Sequence, residues 1–337
     1  MSYYFKSNKI IIKIILFISL INILKNGIFL QILKEIYYNF IKYEVKKICL
    51  CSPAKNENKY IIEFVEYYLK YGVDKIFIYD NNDIYDEKFE EIISNYIKNG
   101  LVEIINFRGK ERAQIEMMND CYTKNHNKFD WLFFFDIDEL LFLKKYNNFK
   151  TYLNNLCFNN CKKIHFNWVF FTDNNLLYYD NRSLFKRFFE KEPKVRYNKS
   201  RKAGIKTIIK GHLKNIKVEC QHRISLKFQS CDGFGNIKKL NGIETEDADY
   251  ENYYIKHFYC KSTEEFINKI TKGDLIFGHD ENWKLAKIKT YFGYNKITLK
   301  KINYIENETG FNLSEYKNQL YNPKIRESSS SFKFNFI

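Results

Sequence analysis

Trp131-Leu-Phe-Phe-Phe-Asp-Ile-Asp-Glu139 is the stretch on which the fold of this chain turns. Five apolar or aromatic residues run unbroken into two carboxylates, Asp136 and Asp138, one residue apart. Such a run reads as a strand buried on both faces. Residues i and i+2 of a strand share a face, so the two carboxylates are expected to project together from the strand end. Carboxylates held side by side at a core edge repel and are costly to desolvate. A divalent cation offsets both effects, and hard oxygen ligands suit Mn²⁺ or Mg²⁺.

Upstream, strand and helix patterns alternate. Residues 47–52 read as a strand. Residues 60–71 follow as a helix with Ile61, Phe64, Val65, Tyr68 and Leu69 on one face, ended by Gly72. Strands at 75–79 and 101–106 flank a helix at 86–98, and a helix at 111–126 leads into Trp131. The βαβαβαβ order predicts an α/β fold: a Rossmann-type, mostly parallel sheet flanked by helices. Open α/β sheets bind ligands at the carboxyl ends of their strands. Three polar clusters fall there: Asn56 with Glu57, Asp80-Asn81-Asn82-Asp83, and Asp136 with Asp138.

Downstream the periodicity is weaker. Residues 163–171 read as a strand, 183–189 and 205–210 as short strands or helix turns, and 251–260 as an aromatic strand. Ser262-Thr-Glu-Glu265 has the form of a capping box, and 280–308 reads as helical. The expected organisation is an N-terminal hydrophobic, basic segment (1–45), one α/β domain (46–275), a helical C-terminal extension (276–326) and a serine-bearing disordered tail (327–337).

The 337 residues carry 55 Lys and Arg against 40 Asp and Glu, a net charge of +15 that favours anionic partners. No helix-turn-helix, zinc-finger or RNP pattern accompanies it, so nucleic acid is not an expected partner. Among the eight cysteines, Cys49 and Cys51 alternate with apolar residues and are expected to pack as small hydrophobes. Residues 10–24 are apolar apart from Lys13, Ser19 and Asn22. The stretch 10–33 is expected to associate with a membrane, as a signal-anchor or a peripheral helix, with the side undetermined.

Three blocks, Cys51-Ser-Pro-Ala-Lys-Asn-Glu57, Ile61-Ile-Glu-Phe-Val-Glu-Tyr-Tyr68 and Gly72-Val-Asp-Lys-Ile-Phe-Ile-Tyr-Asp-Asn-Asn82, resemble the opening of glycosyltransferase family 92 and related family-2-like enzymes. Phe135-Asp-Ile-Asp-Glu-Leu-Leu141 resembles that group's DxD segment. Ile164–Trp168, Arg187-Phe188, Lys206, His212 and His257–Ser262 resemble its later blocks. Lys55, Asp83 and Phe258 depart from the family's frequent Arg, Ser and Tyr.

The resemblance spans about residues 46–275 and implies a GT-A fold and an enzyme. Its implied activity is metal-dependent transfer of a sugar from a nucleotide-sugar, UDP-linked, to a carbohydrate or lipid-linked glycan, with inversion. It further implies Asp136, Asp138 and His257 as metal ligands, with Asp136 also near the ribose. Asn56, Glu57, Asp80, Asn82 and Arg112 are expected to contact the donor, and Lys110, Lys206 and His212 are weaker phosphate candidates. For the base that an inverting transfer requires, Asp173 is the first candidate and Glu244, Glu246, Asp247 and Asp249 are others. Trp168 reads as core or as a sugar platform. Two alternatives stand beside this reading. One is a nucleotidyltransferase using the same carboxylates, although Ser52-Pro-Ala-Lys55 is not a glycine-rich phosphate loop. The other is a basic protein that binds membrane or nucleic acid.

Overall fold

The computed structural model describes residues 44–192, 203–272 apart from 221, 223, 226 and 241, and 280–321. The first half alternates as expected: β1 (Ile48–Ala54), α1 (Ile61–Lys70), β2 (Lys75–Asp80), α2 (Phe89–Lys98), β3 (Val102–Asn106), α3 (Gln114–Asn125) and β4 (Trp131–Phe134). β1 lies between β2 and β4, parallel to both, and β3 continues the parallel set beyond β2. All seven residues of β1 and all four of β4 are buried, which is why neither shows an apolar–polar alternation.

The second half extends the sheet. β7 (Ala203–Lys210) runs antiparallel between β4 and β6 (Lys163–Phe170). β11 (Tyr253–His257) is parallel to β6, and β5 (Glu139–Leu143) closes the path antiparallel to β11. The order is β3-β2-β1-β4-β7-β6-β11-β5, with β8 (Ser230–Cys231), β9 (Ile237–Lys238) and β10 (Glu244–Thr245) off this path. The mostly parallel α/β sheet flanked by helices is therefore as expected.

Strand β5 was not foreseen, and it changes how Asp136 and Asp138 are presented. β4 ends at Phe134, and both carboxylates lie in a turn closed by the Glu139 N–H donating to the Asp136 carbonyl at 3.0 Å. The chain crosses here from one half of the sheet to the other. The Tyr68 hydroxyl fixes the crossing: it donates to the Glu139 carbonyl at 2.8 Å and accepts from the Leu141 N–H at 3.2 Å.

After α4 (Phe149–Leu153) and a single-turn α5 (Leu184–Arg187), α6 (Thr263–Thr271) begins with the expected capping box of Ser262 and Glu265. The helical run expected over 280–308 is two helices, α7 (Glu281–Tyr294) and α8 (Leu299–Thr309), followed by α9 (Ser314–Tyr321). The break falls at residues 295–298, where the Thr298 side chain caps α8.

Disulfides join Cys51 on β1 to Cys121 on α3, and Cys161 to Cys231. Cys51 is thus cross-linked rather than only a small hydrophobe, whereas Cys49 is buried and free as expected. Among the described residues no helix is long and apolar enough to cross a membrane. The membrane-associating stretch 10–33 and the tail 327–337 lie outside the described residues.

Candidate active site at the carboxyl ends of the strands

The two carboxylates of the turn face different partners. Asp136 is held at both oxygens: Oδ1 accepts from Gln114 Nε2 at 3.1 Å and Oδ2 from Lys206 Nζ at 2.7 Å. Lys206 comes from β7, where it pairs with Phe166 of β6, and its ammonium also lies 3.4 Å from Glu139 Oε2. That second carboxylate is fully buried; it accepts from the Asp136 N–H at 3.0 Å and from Trp168 Nε1 at 2.8 Å. Burial pushes the Glu139 carboxyl up to about 8, against the pull of Lys206. Burial would lower Lys206, but Asp136 and Glu139 outweigh it and hold the ammonium charged.

Asp138 turns toward β11 and α6. Its Oδ2 accepts from Lys269 Nζ at 2.6 Å, and its Oδ1 faces His257 Nε2 at 3.6 Å. The sheet register causes this meeting: His257 is directly opposite Glu139, and the Phe258 N–H donates to the Asp138 carbonyl at 2.9 Å. Burial pushes the Asp138 carboxyl up, yet the ammoniums of Lys269 and Lys261 hold it well below its ordinary range. Burial keeps His257 neutral by drawing it well below its usual value, against the pull of Asp138. Neutral imidazole is the form that binds a metal.

Glu57 reaches the same place from the end of β1. Lys272 Nζ donates to its Oε1 at 2.9 Å and Lys261 Nζ lies 3.6 Å from its Oε2. Burial raises this carboxyl, but Lys261 and Lys272 pull it below its ordinary range. The remaining cluster is packed beside it: the Asn56 N–H donates to Asn82 Oδ1 at 2.6 Å, and the Asn82 N–H to Asp80 Oδ1 at 3.0 Å. Arg108 Nε donates to Asp80 Oδ2 at 2.7 Å and the rest of its guanidinium binds the carbonyls of Asp83, Asp86 and Glu87. Burial raises the Asp80 carboxyl despite Arg108.

The expected metal trio is divided. Among the described residues no three His, Cys, Asp or Glu side chains converge on one point, because Asp136 belongs to Lys206 and Gln114. Asp138 and His257 remain a fit for a cation. Two ligands at about 2.1 Å from one ion lie no more than about 4.2 Å apart, and Asp138 Oδ1 and His257 Nε2 fall within that span. Lys269 occupies the other carboxylate oxygen and leaves Oδ1 facing the imidazole.

Several other expectations fall away from this centre. Asp173 is 1% exposed, accepting from Tyr291 Oη at 2.5 Å and pairing with Lys301 Nζ at 2.5 Å, so it ties the C-terminal helices down instead of facing an acceptor. Asp249 anchors its own turn through the N–H groups of Glu251, Asn252 and Tyr253. Asp247 pairs with Lys238 at 2.9 Å. Glu244 lies on β10, antiparallel to the start of β7, and Glu246 is exposed just beyond it. Arg112 is exposed with a positive φ, and Lys110 pairs with Glu116 at 2.7 Å. His212 lies past β7 at the opposite sheet edge, 3.8 Å from Asp130. Trp168 is core, clamped to Glu139 and 4.7 Å from the His257 ring.

Sequence reasoning passed over Arg108, Gln114, Glu139, Lys261, Lys269 and Lys272. One signal was present for the last two: they stand three residues apart on the helix that Ser262 caps, and so share a face.

The site is thus an α/β sheet with polar and acidic turns at the ends of β1, β2 and β4, gathered around lysines of β7 and α6 and a buried histidine of β11. The family model for glycosyltransferase family 92 matches residues 46–293, and the chain belongs to that family. A family 92 protein of Ricinus communis is 28% identical over 111 residues, covering 31% of this chain and 17% of that protein. A beta-1,4-galactosyltransferase of Caenorhabditis elegans is 29% identical over 104 residues, covering 28% of this chain and 24% of that protein. These matches span about a fifth of the relatives' own length. Staphylococcus aureus TarS 1-349 in complex with UDP is similar at a TM-score of 0.34 and 12% identity, covering 79% of each chain, which is too slight to bear on function.

Proposed function

We propose that the chain transfers a sugar from a nucleotide-sugar donor, UDP-linked, to a carbohydrate or lipid-linked glycan acceptor, with inversion and with Mn²⁺ or Mg²⁺ as cofactor. The observation that carries this reading is the pairing of Asp138 with a neutral His257, beside Asn56, Glu57, Asp80 and Asn82 at the same sheet edge. Asp138 and His257 would hold the ion, which when bound supplies charge neutralisation for the departing diphosphate. The charge balance supports a cation. With Glu139 held mostly protonated by burial, the carboxylates of Glu57, Asp136 and Asp138 leave the ammoniums of Lys206, Lys261, Lys269 and Lys272 in slight excess. That excess falls short of a diphosphate, which without a cation would leave about one or more negative charges uncompensated in a half-buried site.

Asp136, fixed by Lys206 and Gln114, keeps the turn in one conformation and orients Asp138. A nucleotidyltransferase is disfavoured because β1 runs through Ala54 into Lys55-Asn-Glu57, with no glycine-rich loop after the strand. The stretch 10–33 would hold the domain at a membrane surface, and the two disulfides favour an oxidising compartment. The test is thermal melting of the full chain with UDP or GDP and Mn²⁺, followed by donor hydrolysis across nucleotide-sugars. A raised melting temperature with at least one nucleotide is expected. No shift with any nucleoside diphosphate overturns the reading.

A further inference from the structure

We infer that Lys261, Lys269 and Lys272 form the seat for the donor's two phosphates, and that Glu57 and Asp138 hold these lysines in place until the donor arrives. This rests on the nucleotide-sugar reading above and assigns residues within it.

Three ammoniums from one short segment converge on two carboxylates from elsewhere in the chain. Lys261 precedes the Ser262 cap of α6, Lys269 is on the helix, and Lys272 is its C-cap. Lys261 lies 3.6 Å from Glu57, Lys272 2.9 Å from Glu57, and Lys269 2.6 Å from Asp138. One positive charge is left over in this subset. Glu57 Oε2 is buried without a hydrogen-bond donor, so the Lys261 pair is loose and its ammonium can turn to another anion.

The lysines are held by more than their ion pairs. Lys261 lies over the Tyr60 ring at 3.6 Å from its centroid, and Lys269 over Tyr259 at 4.5 Å. Tyr60 in turn donates to Glu265 at 2.6 Å, locking the start of α6 against α1. Aromatic faces support a cation without neutralising it, which suits groups that must stay charged for an incoming anion. Lysine binds phosphate as a point charge on a flexible stem, so a small swing of Nζ moves it from carboxylate to phosphate.

The position also fits. The lysines lie between the ends of β1 and β4, with the Asp138–His257 pair on one side and the Asn56–Asn82–Asp80 cluster on the other. A diphosphate joining a nucleoside on the β1–β2 side to a cation on Asp138 would pass across them.

The experiment titrates the full chain with UDP and with GDP in the presence of Mn²⁺, for wild type, Lys269→Gln, Lys272→Gln and Lys269→Arg. Ligand-free melting is recorded for each protein. Wild type is expected to bind at least one nucleotide. Each glutamine variant should bind it about 10-fold or more weakly, the loss expected for one charge-assisted contact. Lys269→Arg, which keeps the charge, should return to within about 3-fold of wild type. Lys272 is half-buried at a helix end, so its variant carries the test should Lys269→Gln fail to fold. If wild type binds and both folded glutamine variants bind equally well, the lysine seat is overturned while the nucleotide-sugar reading stands. If neither nucleotide binds wild type, the functional reading itself falls.

Discussion

Lys269 Nζ lies 2.6 Å from Asp138 Oδ2 across 131 residues of chain, while the other oxygen of the same carboxylate faces His257 at 3.6 Å. One side of Asp138 is satisfied by an ammonium and the other is directed at a neutral ring. Asp138→Asn keeps the shape and removes the charge that both neighbours sense. Mn²⁺-dependent stabilisation by nucleotide should disappear, and transfer should fall by about 100-fold or more. Chelating the metal from wild type should reproduce the loss, with Mn²⁺ restoring wild type and not the variant. Unchanged turnover in Asp138→Asn would remove the residue from the site.

Lys206 predicts a stability effect. Its ammonium is 2% exposed and lies between Asp136 and Glu139. Lys206→Met strips the partly exposed Asp136 of its ammonium and leaves Glu139 buried with no cation beside it, at a cost of about 1–3 kcal/mol. Denaturant unfolding should show the loss. Adding Glu139→Gln should recover part of it, because an amide tolerates burial without a counter-charge. A single variant no less stable than wild type would show that the pair carries no stability.

The Arg187–Glu265 pair sets a pH dependence. Arg187 Nη1 donates to Glu265 Oε2 at 2.7 Å, both side chains being 2% exposed, and Glu265 also accepts from Tyr60 and the Ser262 N–H. Burial raises the Glu265 carboxyl, but Arg187, Ser262 and Tyr60 bring it below its ordinary value. An unfolded glutamate titrates near about 4.3. Because the native value is the lower one, the stabilisation is complete above that pH and fades as pH falls through the native value. Wild type should therefore exceed Glu265→Gln in unfolding free energy at pH 7, and the gap should narrow below about pH 4. A gap that is flat from pH 7 to pH 3 would contradict the assignment.

The first half of the sheet was legible because its signals are local. β1, β2, β3 and β4 are short apolar runs punctuated by Gly72, Gly100 and polar turns, and α1 shows a clean apolar face. β5 escaped because Leu140–Leu143 has no alternation and the strand begins at Glu139, directly after Asp138, so it reads as a continuation of the preceding segment. Missing β5 concealed the turn, and with it the reason Asp136 and Asp138 part company. The proximity of His257 to Asp138 was anticipated by resemblance, but its cause is the β5–β11 register, which no local pattern carries. Local pattern shows only that Lys269 and Lys272 share a helix face; Lys269 and Asp138 meet only after the sheet forms.

Asp173 separates a chemical role from an architectural one. Its Oδ2 meets both the Tyr291 hydroxyl of α7 and the Lys301 ammonium of α8, Oδ1 accepts from the Asn175 N–H at 2.8 Å, and its own N–H donates to Asn295 at 2.7 Å. A general base must reach the proton it removes, and this carboxylate is enclosed by groups that hold the C-terminal helices. Asp173→Asn should lower unfolding stability by about 2–4 kcal/mol, since it leaves Lys301 buried without its charge partner. Assayed well below its melting temperature, the variant should turn over within about 3-fold of wild type, because nothing it touches lies at the Asp138–His257 centre. Melting and kcat measured on the same preparation decide the matter. A loss of 100-fold or more in kcat at unchanged stability would return Asp173 to the role of base, and would require the α7–α8 anchor to open during the reaction.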